Sequence, residues 1–157
     1  MLGTAARLNH IVARRFFHSG GGTVRILECA VKRDMDLIRE LLLRLEAWPL
    51  ELGGALTIPP EEIAVPGYDV AQIEHHLCLI REKGLIDEAD ARPMLGIGFC
   101  GLTWAGHDFI DSVRDPEIWA KTKKGAEDAK GFTFDLLRDL AKGLIKKQIE
   151  EYTGVKL

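Results

Sequence analysis

Long apolar runs are missing from this chain. Nothing approaches the roughly 18 consecutive residues that a bilayer-spanning helix needs, so we expect no membrane anchor. Cysteine is scarce and odd in number, at unrelated spacings (Cys29, Cys78 and Cys100). That excludes a disulfide scaffold and fits a reducing compartment, hence a cytoplasmic protein. No CxxC pair and no HExxH motif occurs, so we expect neither a metal site nor a cofactor. An excess of one charge is lacking too: 21 Lys/Arg stand against 24 Asp/Glu, a formal net charge of −3, which gives the chain as a whole no pull toward a polyanion. What is present is the composition of one globular domain, 46% apolar and 29% charged over 157 residues.

The charge is unevenly placed. Residues 1–30 hold four arginines (Arg7, Arg14, Arg15 and Arg25) and one acid, Glu28. Residues 33–92 hold six basic residues against thirteen acids, and residues 119–157 hold nine against six. The first block has no sustained apolar period and breaks at Gly20-Gly21-Gly22. Rich in arginine and nearly free of acids, it imitates a mitochondrial transit peptide. We read it instead as a poorly ordered leader, or as translated DNA upstream of the true start. Helical patterning begins only after Val31, and valine is what a GUG start codon spells when read internally.

Beyond the leader the punctuation is clear. Met35, Ile38, Leu41, Leu42 and Leu45 form one stripe after Asp34, a plausible N-cap, and Trp48-Pro49 ends the helix. Ala55 to Ile58 reads as a short strand, stopped by Pro59-Pro60; Ile63 and Val65 alternate as in another. Asp69 caps a second helix with its stripe at Val70, Ile73, Leu77 and Ile80, closed by Gly84 in the left-handed position. Leu85-Ile86 starts an extended segment, Asp87 to Pro93 is a polar tip, and Met94 to Thr103 reads as the returning strand. A helix, a glycine, an extended pair, a polar tip and a strand are the pattern of a recognition helix followed by a β-wing. Thr103, Asp115 (before Pro116) and Thr133 then cap three further helices. The last carries a stripe of Leu137, Leu140, Ala141, Leu144, Ile145 and Ile149.

Three segments, VKRDMDLIRELLLRLE, IEHHLCLIREKGLI and LTWAGHDFIDSVRDPEIWAKTK, resemble a family of bacterial and phage proteins, domain of unknown function 2513. The resemblance covers most of residues 31–150. It implies a winged-helix-like core of bacterial, often prophage, origin. It implies no activity, since that family has no assigned catalytic or ligand residues. Its opening segment normally follows directly on the start methionine, so the leader is a departure that counts against a transit peptide. HLCLIREKGLI also looks like the end of the recognition helix in many winged-helix regulators, which pack through positions such as Leu77 and Ile80 and turn the other face to DNA.

The expected fold is therefore α+β: a leader (1–30), a winged-helix-like domain with a small antiparallel β-wing (31–103), and a helical extension (104–157) that packs on the core or dimerises. The first functional expectation is a non-catalytic, DNA-binding transcriptional regulator. Gln72, His75, His76, Arg81, Lys83 and Arg92 would face duplex DNA, since cations bind phosphates while Arg and Gln read base edges. The acids Asp69, Glu74, Glu82, Asp87, Glu88 and Asp90 oppose them. The alternative is a protein-interaction module whose acidic face, at Asp87 and Glu88, meets a basic host or phage protein. Leu140 and Leu144 would serve a homodimer through the last helix.

Four other groupings carry residues capable of chemistry. His75, His76 and Cys78 cannot share a metal comfortably, because adjacent helical residues diverge by about 100°. Glycines 96, 98 and 101 mimic a phosphate loop but lack a βαβ setting. A thiol nucleophile would need His107 brought to a cysteine. No enzyme is therefore expected. Trp104, His107, Asp108 and Asp111 share one helix face. We expect Trp104 to pack on the wing and His107 to pair with Asp111, the alternative being an exposed recognition patch.

Overall fold

The computed structural model describes residues 31–51, 54–88 and 93–157. The leader and Arg92 lie outside the described residues. Five α-helices are present among the described residues: α1 (Met35–Glu46), α2 (Val70–Glu82), α3 (Trp104–Val113), α4 (Pro116–Asp128) and α5 (Phe134–Thr153). Every expected cap forms. The side chains of Asp34, Asp69, Thr103, Asp115 and Thr133 each accept a backbone N–H from the first turn of the helix that follows. Gly84, at φ +70°, closes α2, and the N–H of Leu85 reaches back to the carbonyl of Ile80.

Four short strands accompany the helices among the described residues: β1 (Leu56–Ile58), β2 (Ile86–Asp87), β3 (Ile97–Phe99) and β4 (Gly101–Leu102). They make two antiparallel pairs, β1 with β3 and β2 with β4. Leu56 faces Phe99 in the first and Ile86 faces Leu102 in the second. The single returning strand expected over 94–103 is thus divided at Cys100. Its first half pairs back to β1 and its second half to β2. Gly96 shows why that spacing works: its φ is +78°, and a Cβ there would lie 2.2 Å from the Ile58 carbonyl oxygen. The second correction concerns Ile63 and Val65. They are buried, yet lie in no strand; Pro60–Glu62 is a single 3-10 turn.

Residues Arg33–Leu157 share one hydrophobic core, drawn from both sides of residue 103: Leu41, Leu77 and Phe99 meet Phe109, Ile110 and Leu137. Helix α1 is the hub. Arg39 donates to the Val113 carbonyl at the end of α3, at 2.6 Å. Asp36 receives the Trp119 indole N–H (2.6 Å) and the Lys123 ammonium (2.8 Å) from α4. Helix α3 approaches closely because Gly106 has no side chain: a Cβ would fall 2.2 Å from the Leu85 carbonyl oxygen. Thr103 secures that junction, donating its hydroxyl to the Gly84 carbonyl at 2.7 Å while capping α3.

Candidate functional site

Helix α2 carries most of the residues expected to meet a ligand, and its caps and packing decide what they can do. Gln72 completes a capping box. Its side-chain oxygen accepts the Asp69 N–H at 2.9 Å, and Asp69 accepts the Gln72 N–H at 2.8 Å. His76 is a correction: it is 1% exposed and turned away from any solvent-facing ligand. Its Nε2 accepts the backbone N–H of Asp34 at 2.8 Å, and its Nδ1 faces the Gln72 carbonyl at 2.7 Å. Only the neutral ring with its proton on Nδ1 satisfies both contacts. Burial accordingly pushes the His76 pKa below the usual histidine value, although the Gln72 carbonyl opposes the shift. Tyr68 adds a further bond, donating its hydroxyl to Asp34 at 3.1 Å. Burial, with the Asp34 carboxylate beside it, pushes the Tyr68 pKa up to about 12. Asp34, Tyr68 and His76 therefore buckle α1 to α2.

The remaining α2 residues lie nearer the surface. His75 is partly buried, edge-on to the His76 ring at 5.3 Å. Arg81 is partly buried and directs a guanidinium N–H to Cys78 Sγ at 3.6 Å. Lys83 is exposed, 3.4 Å from Asp135 and 5.0 Å above the Phe134 ring. Cys78 is a free thiol whose pKa burial pushes up, which disfavours the reactive thiolate. Around these groups Asp69, Glu82 and Asp87 are exposed. Glu74 is tied down, accepting the Gly96 N–H at 2.9 Å. Glu88 is partly buried, with one carboxylate oxygen enclosed and making no hydrogen bond.

The α3 group departs from expectation. Trp104 is 85% exposed and does not pack on the strands. His107 and Asp111 do not pair: His107 Nδ1 lies 3.4 Å from Glu46, while Arg114 spans Glu46 (2.7 Å) and Asp111 (2.9 Å). The Arg114 guanidinium holds the Glu46 carboxyl below the usual glutamate range. The alternative, an exposed face, describes Trp104, His107, Asp108 and Asp111 better. On α5, Leu140 and Leu144 are partly buried against the core, and the freely exposed apolar residues come later, at Ile149 and Tyr152.

No group of three His, Cys, Asp or Glu side chains among the described residues is placed to hold a metal ion. No helix among them is long and apolar enough to cross a membrane. A cleft of about 230 Å³ opens between Arg33, Ile38, Leu79, Leu85 and Phe134. It is smaller than the roughly 300–1,000 Å³ of small-molecule pockets, and the charged groups at it are Arg33, Glu82 and Lys83.

The pairing of His76 with the N-cap of α1 is a structural contact that the sequence does not announce. The adjacent histidines gave no sign of which one turns inward, since that depends on how α2 rotates against α1. Comparison with known proteins agrees with the segments picked out above. The family model described as Hypothetical protein (DUF2513) matches residues 32–133. An uncharacterized protein of Haemophilus influenzae is 27% identical over 122 residues, covering 76% of this chain and 99% of that relative. No solved structure matches. The match runs from the start of α1 through α4, and on that ground the chain belongs to the DUF2513 family.

Proposed function

We propose that this chain is a non-catalytic binding protein of bacterial or prophage origin with a winged-helix-like core, acting in the cytoplasm, and that its acidic α2–β2 face docks a basic segment of another protein. Element order supports the winged-helix reading: a helix, a strand, a recognition-type helix and a hairpin, with β1 pairing to the returning strand. One observation carries the choice of partner. Of the groups that would read DNA, His76 is buried and the Gln72 side-chain oxygen is engaged in its own cap, while Arg81 lies against Cys78. Glu82 and Asp87 remain exposed beside them, while the Asp69 carboxylate is engaged in the same cap as Gln72. A surface of this sign forgoes the counterion release that supplies most non-specific DNA affinity. The helix that would cross the DNA backbone ahead of a recognition helix is also reduced to the Pro60–Glu62 turn.

Fluorescence anisotropy of the full chain with a labelled oligo-arginine peptide and with a labelled random-sequence duplex tests this reading. Binding of the peptide is expected, weakened about tenfold by the pair Glu82→Lys and Asp87→Lys, since two lost charge contacts of up to about 1 kcal/mol each amount to a factor of up to about 30. The pair Glu127→Lys and Asp128→Lys, at the far end of α4, is expected to leave it unchanged. Tight duplex binding that falls steeply with salt and is lost in Arg81→Ala would overturn the proposal in favour of a DNA-binding regulator.

A further inference from the structure

We infer that the cleft between the start of α1 and the end of α2 binds a free apolar α-amino acid, of about the size of leucine. The inference does not rest on what the acidic face docks, although Glu82 borders both. Ile38, Ile80, Leu85 and Phe134 are buried residues that line the cleft, and Leu79, partly buried, completes its apolar wall. Such a wall takes an apolar group out of water. The volume of about 230 Å³ equals the liquid share of about eight waters. That is room for a branched aliphatic side chain with its polar end at the mouth, and too little for a nucleotide or a larger cofactor.

Charge selects the polar end. Three ionised groups border the cleft, Arg33, Glu82 and Lys83, and all are exposed to solvent. Lys83 is committed: its ammonium lies 3.4 Å from Asp135 and 5.0 Å above the Phe134 ring. Arg33 donates from Nη2 to the Phe132 carbonyl at 3.1 Å, and its guanidinium has no carboxylate partner among the described residues. Glu82 makes neither an ion pair nor a hydrogen bond among them. A cation and an anion thus share one cleft without being paired to each other or to another side chain. A ligand that carries both charges beside an apolar group answers both: its carboxylate takes the Arg33 fork and its ammonium takes the Glu82 carboxylate. An apolar carboxylate without the ammonium would leave Glu82 unmatched, and an apolar amine would set its charge against Arg33. Both protein charges are hydrated at an open mouth, so binding is modest, with a Kd on the order of 1 mM.

Titration of the isotope-labelled full chain with L-leucine at neutral pH, followed by NMR chemical shifts, tests the assignment. Saturable shifts are expected at Leu79, Leu85 and Phe134. Two analogues separate the charges: 4-methylpentanoate lacks the ammonium and L-leucinamide lacks the carboxylate, and each is expected to bind about fivefold more weakly. Arg33→Gln and Glu82→Gln are each expected to weaken leucine by a similar factor. Leu79→Trp, which fills the cleft, is expected to abolish binding, with circular dichroism verifying the fold; should that variant unfold, the two charge variants carry the test. Asp87→Lys is expected to leave leucine binding unchanged, and Arg33→Gln to leave the oligo-arginine peptide bound, so this inference and the acidic-face proposal fail separately. Shifts unmoved at about 20 mM leucine, an analogue that binds as tightly as leucine, charge variants that bind it as wild type does, or a folded Leu79→Trp chain that still binds it would each overturn the inference.

Discussion

Helices α1 and α5 are both amphipathic, yet only one of them exhausts its apolar stripe inside the protein. In α1, Met35, Leu37, Ile38, Leu41, Leu42 and Leu45 are all buried, none more than 4% exposed. α5, with 20 residues, is about 30 Å long and outruns the core it lies on. α1 is covered by α2 and α3, latched by Asp36 to α4, and fastened at its first turn by His76. Beyond Ile145, α5 keeps the pattern but loses the neighbours. Periodicity therefore reports that a helix has an apolar face, and leaves open what covers that face.

Three measurements sharpen or break this contrast. The largest effect is expected for Leu41→Ala, where a fully buried side chain leaves a cavity that the crossing helices cannot close, at a cost of about 3 kcal/mol in denaturant unfolding. A loss below about 0.5 kcal/mol, the range of surface changes, would demote α1 from its place as the hub. A smaller effect is expected for His76→Phe, which orphans the Asp34 N–H at a cost of about 1–3 kcal/mol. The same contact predicts a pH dependence. The folded-state pKa of His76 lies below its unfolded value, so the unfolded chain binds the proton more readily. The His76 contribution is then fully present above the unfolded pKa, near 6.5, and is lost as pH falls below it toward the folded value. Unfolding midpoints of wild type minus those of His76→Phe are expected to narrow between neutral pH and pH of about 5. A constant difference would mean that the ring does not titrate with folding. The smallest effect is expected for Ile149→Ala in dilute protein, within about 0.5 kcal/mol of wild type. A loss comparable to that of Leu41→Ala would show that α5 is covered within a single chain.

Much of the architecture was legible because it is written locally. Asp34, Asp69, Thr103, Asp115 and Thr133 each act on N–H groups two or three residues away, so their caps could be read without any knowledge of the fold. The same holds for Gly84, whose left-handed conformation ends α2. The returning strand was legible as extended chain but not as two strands. Its division at Cys100 depends on β1, some 40 residues earlier, and on Gly96 fitting beneath the Ile58 carbonyl. Ile63 and Val65 alternate as a strand does, yet a strand needs a hydrogen-bonded neighbour, and the chain supplies a 3-10 turn there instead. The candidate site was less legible still. His75 and His76 are equivalent in sequence, and the rotation of α2 against α1 buries one and leaves the other near the surface. Trp104 lies on a helix whose contact with the strands is made by Gly106, so the aromatic ring is the one left outside.

The order of residues by itself determined where each helix begins and ends, which stripe of each is apolar, and that acids crowd the middle of the chain. These are short-range matters of hydrogen bonding, backbone conformation and composition. The tertiary structure alone decided which charged and polar side chains remain accessible, because burial depends on what packs over a face and not on the face itself. It also decided that α5 leaves part of its stripe in water, since the area a core can cover is a property of every element that builds it.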